Sequence, residues 1–178
     1  LKFHDIPATM SKACFMAAQT GAQLITVHAC AGSKSLKLAN EAAKEGALKC
    51  HLPPPTLLAV TVLTSWDDYS FAKDIFIDES INSRVERMAA LAFKTGIGGC
   101  VCSPIEVQNL RRLFPEPFQL ITPGIRNIGS SQDDQARVMT ATNALKAGSS
   151  RLVIGRLITK AKDPVESFNV ICDEIDRA

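Results

Sequence analysis

Short apolar segments alternate along the chain with longer segments whose apolar residues recur at helical spacing. The short segments predict strands at residues 1–6, 24–29, 56–64, 97–102, 118–122 and 151–155. In the longer segment 80–94, one face of a predicted helix carries Val85, Met88, Ala89 and Ala92. Because the strand segments are almost continuously apolar and alternate with helices, the pattern predicts a parallel sheet covered by helices.

Glycine and proline mark where the predicted helices end and begin. Glycine suits the left-handed position that closes a helix, and four glycines stand just before predicted strands: Gly21, Gly46, Gly96 and Gly148. Residues 103–106 and 163–166 each combine a capping residue, a proline and a glutamate in the order that starts a helix. The last helix is predicted to turn four side chains inward: Phe168, Ile171, Cys172 and Ile175.

Two architectures fit this alternation, a doubly wound open sheet and a (β/α)8 barrel. Polar and glycine-rich residues gather after the strands, as a ligand site requires in both folds. The chain has neither the glycine fingerprint of dinucleotide-binding folds nor a Walker loop, which favours the barrel. At roughly 30 residues per unit, six strands leave a barrel about 60 residues short. We therefore predict a single α/β domain over residues 1–178, the C-terminal three-quarters of a (β/α)8 TIM barrel that lacks about its first two units.

Composition and charge narrow the class of protein. Of the 178 residues, 46% are hydrophobic, which is enough for one sizeable core. The 20 Lys and Arg against 18 Asp and Glu give a net charge of +2, which argues against a nucleic-acid partner. Stacking platforms are also scarce, because Trp66 and Tyr69 are the only residues of their types. No apolar segment approaches the roughly 18 residues that cross a bilayer, so no membrane association is predicted.

The cysteines and histidines show no spacing typical of a metal site. The six cysteines include no Cys-x-x-Cys pair, and His4, His28 and His51 add no ligand pattern. We therefore predict buried, reduced thiols, a cytoplasmic location and no bound metal. His28 stands alone at a strand end and is interpreted as structural.

Two strand ends carry polar side chains suited to chemistry. On the first strand Lys2 points to one face, and Asp5 lies at or beyond the strand end. A lysine that faces a barrel interior is costly to bury, which makes it a candidate proton donor or Schiff-base nucleophile. A frayed, solvated lysine fits these residues equally well. Thr64 and Ser65 either hydrogen-bond a ligand or finish their strand as a turn.

Two further strand ends place glycine close to arginine. Gly124 and Arg126 follow the strand at 118–122, and Gly155 and Arg156 follow the last strand. Glycine lets the backbone approach a ligand, and the forked arginine cation suits phosphate. Barrels commonly bind phosphate in the loops after strands seven and eight, so these residues predict a phosphate site. Surface arginines in ordinary turns are the alternative.

In this order the motifs resemble the orotidine 5′-phosphate decarboxylase family of the bacterial type. The matching residues are Lys2-x-x-Asp5-Ile6-Pro7, Leu63-Thr64-Ser65, Thr122-Pro123-Gly124-Ile125-Arg126, the spacing from Arg126 to Gln135, and Gly155-Arg156. The resemblance implies a (β/α)8 barrel and a homodimer. It also implies a carboxy-lyase that converts orotidine 5′-monophosphate to UMP and CO2 without metal or organic cofactor, the last step of de novo pyrimidine synthesis.

The same resemblance implies a role for each matching residue. Lys2 would protonate C6 of the pyrimidine, and Asp5 would cross the dimer interface into the partner's site. Thr64 would contact the pyrimidine, Gln135 would bridge base and phosphate, and residues 127–134 would form a lid. Further substrate contacts are implied for Ile6, Pro7 and Thr9, and phosphate contacts for Arg126, Gly155 and Arg156.

The chain departs from the family pattern at its start. The family motif is Asp-x-Lys-x-x-Asp, and its first aspartate would stand immediately before Leu1, while an upstream aspartate and lysine are absent too. These absences argue against catalysis by the 178 residues alone. Two other functions remain open: a metal-dependent sugar-phosphate enzyme of the hexulose-phosphate synthase type, and a non-catalytic UMP- or phosphate-binding fragment. Magnesium dependence would identify the first, and tight UMP binding without turnover the second.

Overall fold

A computed structural model describes residues 1–126 and 137–177 of the chain. Within them the predicted strands form one parallel sheet. The strands are β1 (Lys2–Phe3), β2 (Leu24–His28), β3 (Thr56–Val60), β4 (Gly99–Val101), β5 (Gln119–Thr122) and β6 (Arg151–Leu152). Each is shorter than its apolar segment, and some of the residues beyond the strand ends, such as Val62, line a cavity.

The order of the strands decides between the two predicted architectures. The described strands lie side by side in chain order, from β1 to β6, without a reversal. A doubly wound sheet reverses its strand order at a switch point, whereas a barrel adds each strand beside the one before it. The sheet is therefore wound as in a (β/α)8 barrel.

Helices follow the strands and cover the sheet. They are α1 (Pro7–Ala18), α2 (Gly32–Lys49), α3 (Asp68–Ile75), α4 (Ile81–Lys94), α5 (Val107–Leu113), α6 (Ala141–Lys146), α7 (Arg156–Thr159) and α8 (Pro164–Asp176). Short 3-10 turns at Ala29–Ala31 and Pro104–Glu106 precede α2 and α5. Among the described helices none has the length and apolarity to cross a bilayer.

Two hydrophobic clusters hold these elements together. The main core joins α1–α5 to β2–β5, and its fully buried side chains include Met10, Leu36, Leu57, Val85 and Leu120. The C-terminal cluster is much smaller. Its buried members are Ile125, Ala141, Ala144 and Ile171, with half-buried residues of β6, α7 and α8 packed around them.

Both predicted helix starts are confirmed, with side chains that satisfy free backbone groups. Asp163 accepts hydrogen bonds from the amides of Val165 and Glu166, each at 3.0 Å, at the start of α8. At the other start, the amide of Ser103 donates to Oε2 of Glu106 at 2.8 Å. Each start therefore receives the capping contact that its tetrapeptide predicts.

Two predictions about the helices are wrong. Gly46 does not end a helix but lies inside α2. Glycine is required at this position because a Cβ would overlap the carbonyl oxygen of Phe15 on α1. The glycine serves the close approach of two helices. On α8, Ile171 is buried and Cys172 and Ile175 are half-buried, but Phe168 is 53% exposed. No described residue covers that side of the helix enough to bury the ring.

Candidate active site

A cavity of about 450 Å³ opens at the carboxyl ends of the strands. Its walls come from all six described strands or the residues just after them. The lining combines polar groups with an apolar surface: Lys2, Thr26, Thr64, Ser65 and Cys102 among Val60, Val62, Leu63, Val101, Ile121, Pro123 and Val153. In parallel α/β sheets this end of the strands carries the ligand site.

Lys2 contributes the cationic group of this cavity. It lies on β1 in register with Thr26 of β2, whose hydroxyl donates to the carbonyl of Leu1. Its side chain is exposed and not enclosed, and no carboxylate of the described residues lies within ion-pair distance of it. The ammonium is therefore accessible from the cavity, which is what a proton donor requires.

Thr64 reaches the same cavity from β3. Two residues before it, Val62 is buried, and Thr61 anchors the segment by donating its amide and hydroxyl to the carbonyl of Val101 at 3.2 and 2.9 Å. Thr64 is half-buried, so its hydroxyl can meet a ligand without facing bulk water. The structure thus brings Lys2 and Thr64 into one site.

Asp5 lies in a neighbouring depression and not in the cavity of Lys2. This second depression is open, and Asp5 lines it with Ile6, Pro7 and the segment from Cys30 to Ser35. Oδ1 of Asp5 accepts a hydrogen bond from the amide of Ile6 at 2.7 Å, which fixes the turn before α1. Thr9 is exposed on the first turn of α1 and lines neither cavity.

The two predicted phosphate-binding loops follow adjacent strands. β5 and β6 pair Ile121 with Arg151 and Thr122 with Leu152, so their carboxyl ends lie side by side. Gly124 has a φ of 82°, a left-handed conformation that favours glycine and turns the chain toward Arg126.

The arginine side chains of these loops differ in what they contact. Nη1 of Arg126 donates to the carbonyl of Ile125 at 2.8 Å, while its buried Nη2 has no hydrogen-bond partner in the described part of the chain. A Cβ at Gly155 would meet no atom of the described residues within 4 Å, so none of them fills the space beside it. Arg156 begins α7 and is half-buried. Gln135 and the predicted lid at 127–134 lie outside the described residues.

Arg137 is a residue that no sequence motif singles out. Its guanidinium forms an ion pair with Glu106, and Nη2 donates to the carbonyl of Leu63 at 3.1 Å. Its own carbonyl accepts from the hydroxyl of Ser103 at 3.2 Å. Burial lowers the pKa of Arg137. The arginine therefore ties the chain at residue 137 to the loops after β3 and β4.

His28 has two partners that its sequence position does not suggest. The ring of His4 stacks on it with the centroids 5.1 Å apart, and Sγ of Cys30 lies 3.6 Å from Nε2 of His4. Burial lowers the pKa of His28, and the charges of His4 and Lys2 lower it further. In the part of the chain that the structure describes, His4, His28 and Cys30 are the one group of three potential metal-ligating side chains whose ligand atoms all lie within 4.8 Å of one another.

The prediction that the thiols are buried is confirmed for three of the six cysteines and is wrong for two. All six cysteines are free, and Cys14, Cys100 and Cys102 are buried, but Cys30 and Cys50 are exposed. Burial raises the pKa of Cys14 to about 11. A hydrogen bond with Cys100, together with burial, raises the pKa of Cys102, so this cavity-lining thiol is protonated at neutral pH.

Comparisons with known proteins agree with this arrangement. The family model of the orotidine 5′-phosphate decarboxylase / HUMPS family matches residues 1–171. The orotidine 5′-phosphate decarboxylase of Prochlorococcus marinus (strain MIT 9211) is 60% identical over 175 residues, which cover 98% of this chain and 73% of the relative. The enzyme of that name from Parasynechococcus marenigrum (strain WH8102) is 58% identical over 175 residues, with 98% and 71% covered.

A solved structure agrees as well. The crystal structure of orotidine 5′-phosphate decarboxylase from Lactobacillus acidophilus matches with a TM-score of 0.82 and 33% identity, and the match covers 99% of this chain and 73% of that one. The likeness confirms the TIM-barrel class, of which this chain supplies about three-quarters.

Proposed function

Since the chain belongs to the orotidine 5′-phosphate decarboxylase / HUMPS family, we propose that it is part of a carboxy-lyase that converts orotidine 5′-monophosphate to UMP and CO2 in the cytoplasm. One observation carries the proposal. Lys2 and Thr64 line a single, largely apolar cavity, and the two arginine-bearing loops follow the strands β5 and β6 of the same sheet edge. A cation for the reacting carbon, a hydroxyl for the base and cations for the phosphate are the groups that this substrate requires.

Lys2 supplies the acid of the reaction. Loss of CO2 breaks the bond between C6 and its carboxylate and leaves the electron pair on C6. The ammonium of Lys2 stabilises that charge and then donates a proton, which forms the C6–H bond of UMP. Once a bound substrate displaces water from the cavity, its apolar lining strengthens this electrostatic stabilisation, because the local dielectric is then lower than that of water. Solvent then returns the proton to Lys2.

The phosphate is assigned to Arg126, Gly155 and Arg156. Nη2 of Arg126, which is buried and has no hydrogen-bond partner among the described residues, supports the assignment, because charge-assisted hydrogen bonds to phosphate oxygens would satisfy it. The phosphate lies far from the bond that breaks, so its binding energy serves to close the site and lowers the barrier. Arg156→Ala is then expected to reduce kcat/KM more than it reduces the affinity for UMP; equal losses would contradict this role.

The remaining substrate contacts are assigned by family membership. Thr64 contacts the pyrimidine edge, and Gln135 bridges base and phosphate. Ile6, Pro7 and Thr9 extend the substrate-contacting segment that begins at Asp5. The exposed position of Asp5, in a depression separate from the cavity of Lys2, supports a homodimer in which Asp5 enters the partner's site.

The first experiment measures conversion of orotidine 5′-monophosphate to UMP by the gene product that contains these 178 residues. Lys2→Met should reduce kcat by about 10²–10⁴-fold, the usual contribution of a positioned general acid, while UMP still binds. Lys44→Met is the matched control, because Lys44 is exposed on α2, away from both cavities. Unchanged turnover in Lys2→Met would refute the role of Lys2, and no turnover in the unmodified protein would refute the activity.

A second experiment tests the shared site. Lys2→Met and Asp5→Asn subunits are each expected to be inactive, but mixed dimers would contain one site with both residues intact. Random mixing in equal amounts should restore about a quarter of the unmodified activity in a two-fold dimer. No recovery on mixing would show that each site is complete within one subunit, and sedimentation at one-subunit mass would rule out the dimer.

A further inference from the structure

The register of β1 and β2 brings together side chains that are far apart in the sequence. The two strands pair Lys2 with Thr26 and Phe3 with Val27, so the next step in register sets His4 beside His28. Neighbouring parallel strands lie about 4.8 Å apart, and the imidazole centroids are 5.1 Å apart with 27° between the ring planes. Cys30 follows in the 3-10 turn Ala29–Ala31 and faces the same pair of rings.

The distances within this group suit a tetrahedral metal ion. The three ligand atoms lie within 4.8 Å of one another, and Sγ of Cys30 is 3.6 Å from Nε2 of His4. A tetrahedral zinc ion with ordinary zinc–sulfur and zinc–nitrogen bonds places those two atoms about 3.6 Å apart. We propose that His4, His28 and Cys30 form a binding site for Zn²⁺, with the fourth position open to water.

The chemistry of the donor atoms selects the kind of ion. Two imidazole nitrogens and one thiolate favour zinc and neighbouring transition metals, whereas Mg²⁺ prefers oxygen ligands. The site therefore does not support the alternative function of a magnesium-dependent sugar-phosphate enzyme. On binding, the thiol of Cys30 loses its proton to solvent and its sulfur forms the bond to the metal. This proposal differs from the prediction made from the sequence, because the spacing of the cysteines and histidines indicates no metal site.

Access and charge set the expected strength of the site. His4 and Cys30 are exposed and line the open depression that also holds Asp5, so an ion can enter from solvent. Lys2 works in the opposite direction, because it stands two residues before His4 and its positive charge would repel a bound cation. We therefore expect Lys2→Met to bind Zn²⁺ several-fold more tightly than the unmodified protein.

The experiment uses Co²⁺ as a spectroscopic probe and Zn²⁺ as its competitor, on the gene product that contains these 178 residues and without nucleotide. One equivalent of Co²⁺ should give a thiolate-to-metal charge-transfer band, and Zn²⁺ should abolish it. Cys30→Ser, His4→Gln and His28→Gln should each weaken Zn²⁺ binding by roughly tenfold or more, since even loss of outer-shell partners costs that much. Circular dichroism confirms that each variant is folded.

Matched controls separate this group from chance binding by surface residues. Cys50→Ser and His51→Gln remove an exposed cysteine and an exposed histidine outside the group, and both should leave the affinity unchanged. Should a histidine variant fail to fold, Cys30→Ser alone decides, because it changes one atom at an exposed position. A band that survives Cys30→Ser, a band lost in Cys50→Ser, or no band at all would overturn the proposal. None of these measurements depends on decarboxylase activity.

Discussion

The main core and the C-terminal cluster differ in the apolar surface that they bury. In the main core, residues of five helices and four strands are buried together, including the fully buried Met10, Leu36 and Leu120. The C-terminal cluster has four buried members, and α8 leaves Val165 69% and Phe168 53% exposed. Stabilisation grows with the apolar area removed from water, so the C-terminal cluster should open at a lower free energy than the main core.

The two clusters also support different parts of the candidate site. Thr64 follows β3, in the middle of the main core, whereas Arg126 and Arg156 follow residues of the C-terminal cluster. The reacting end of the cavity thus rests on the more stable region and the phosphate end on the less stable one. A region that rearranges easily is suited to closing on a ligand, while the chemistry needs fixed geometry.

The largest loss of stability is expected from a substitution at the ion pair between the main core and the C-terminal cluster. Arg137→Ala removes one member of a buried ion pair whose side chains are only 10% and 3% exposed. Glu106 would remain buried without its partner, so the free energy of unfolding should fall by about 3–5 kcal/mol. Urea denaturation followed by circular dichroism measures the change.

An exposed ion pair is the control for this variant. Arg87 pairs with Glu79 at 3.0 Å but is 68% exposed, so Arg87→Ala should cost less than about 1 kcal/mol. Replacing both Arg137 and Glu106 by apolar residues of similar volume should recover much of the loss, because no unpaired charge is then buried. Equal effects of Arg137→Ala and Arg87→Ala would show that the buried pair does not join the regions.

The next largest effect is expected from replacing a buried isoleucine by alanine, which can be done in each of the two clusters. Ile25 in the main core is 5% exposed and Ile171 in the C-terminal cluster is 4% exposed. Ile25→Ala should lower the global free energy of unfolding by about 2–5 kcal/mol. Ile171→Ala should instead increase local opening, measured as faster amide hydrogen exchange in α6 and α8. An equal loss of global stability in both variants would mean that the two clusters unfold as one unit.

Features encoded locally could be predicted from the sequence. The strands were found because β-prone apolar segments depend on their own residues, and the helix starts at Ser103 and Asp163 because capping is local chemistry. Gly46 has the same local signature as the glycines that do end helices. What distinguishes it is the backbone of α1, which no local pattern reveals.

Features that depend on contacts between elements were missed for the same reason. His4, His28 and Cys30 meet only through the register of two strands, across a separation that resembles no metal motif. Arg137 stands in a polar segment and shows its importance only through Glu106 and Leu63. The shared cavity of Lys2 and Thr64 was anticipated because family motifs record such long-range arrangements, which periodicity does not.

The alkylation rates of two cysteine thiols, one in each region, provide a further comparison of the main core and the C-terminal cluster. Cys14 is buried in the main core, where its pKa rises to about 11, and Cys172 is half-buried on α8. At pH 8 only about one Cys14 in a thousand is then a thiolate, the form that reacts. Alkylation by iodoacetamide, mapped by mass spectrometry, should modify Cys172 at least about tenfold faster, because reagent reaches a half-buried thiol on α8 more easily than a fully buried one. Similar rates at both sites would show that the main core opens as readily as α8.

The smallest effect concerns the caps of two helices, one in each region. Asp163→Ala removes the side chain that accepts two amide hydrogen bonds at the start of α8, at a cost of about 1 kcal/mol. Because α8 belongs to the C-terminal cluster, this loss should speed hydrogen exchange in α8 about fivefold and leave the urea midpoint almost unchanged. Asp163→Asn, which keeps an accepting oxygen, should restore the slow exchange.

Ser80→Ala removes the equivalent cap of α4, in the main core, and should instead lower the urea midpoint. If Asp163→Ala shifted the midpoint as much as Ser80→Ala without affecting exchange in α8, the C-terminal region would not open independently, and the proposed division of the site into a fixed and a closing part would lose its structural basis.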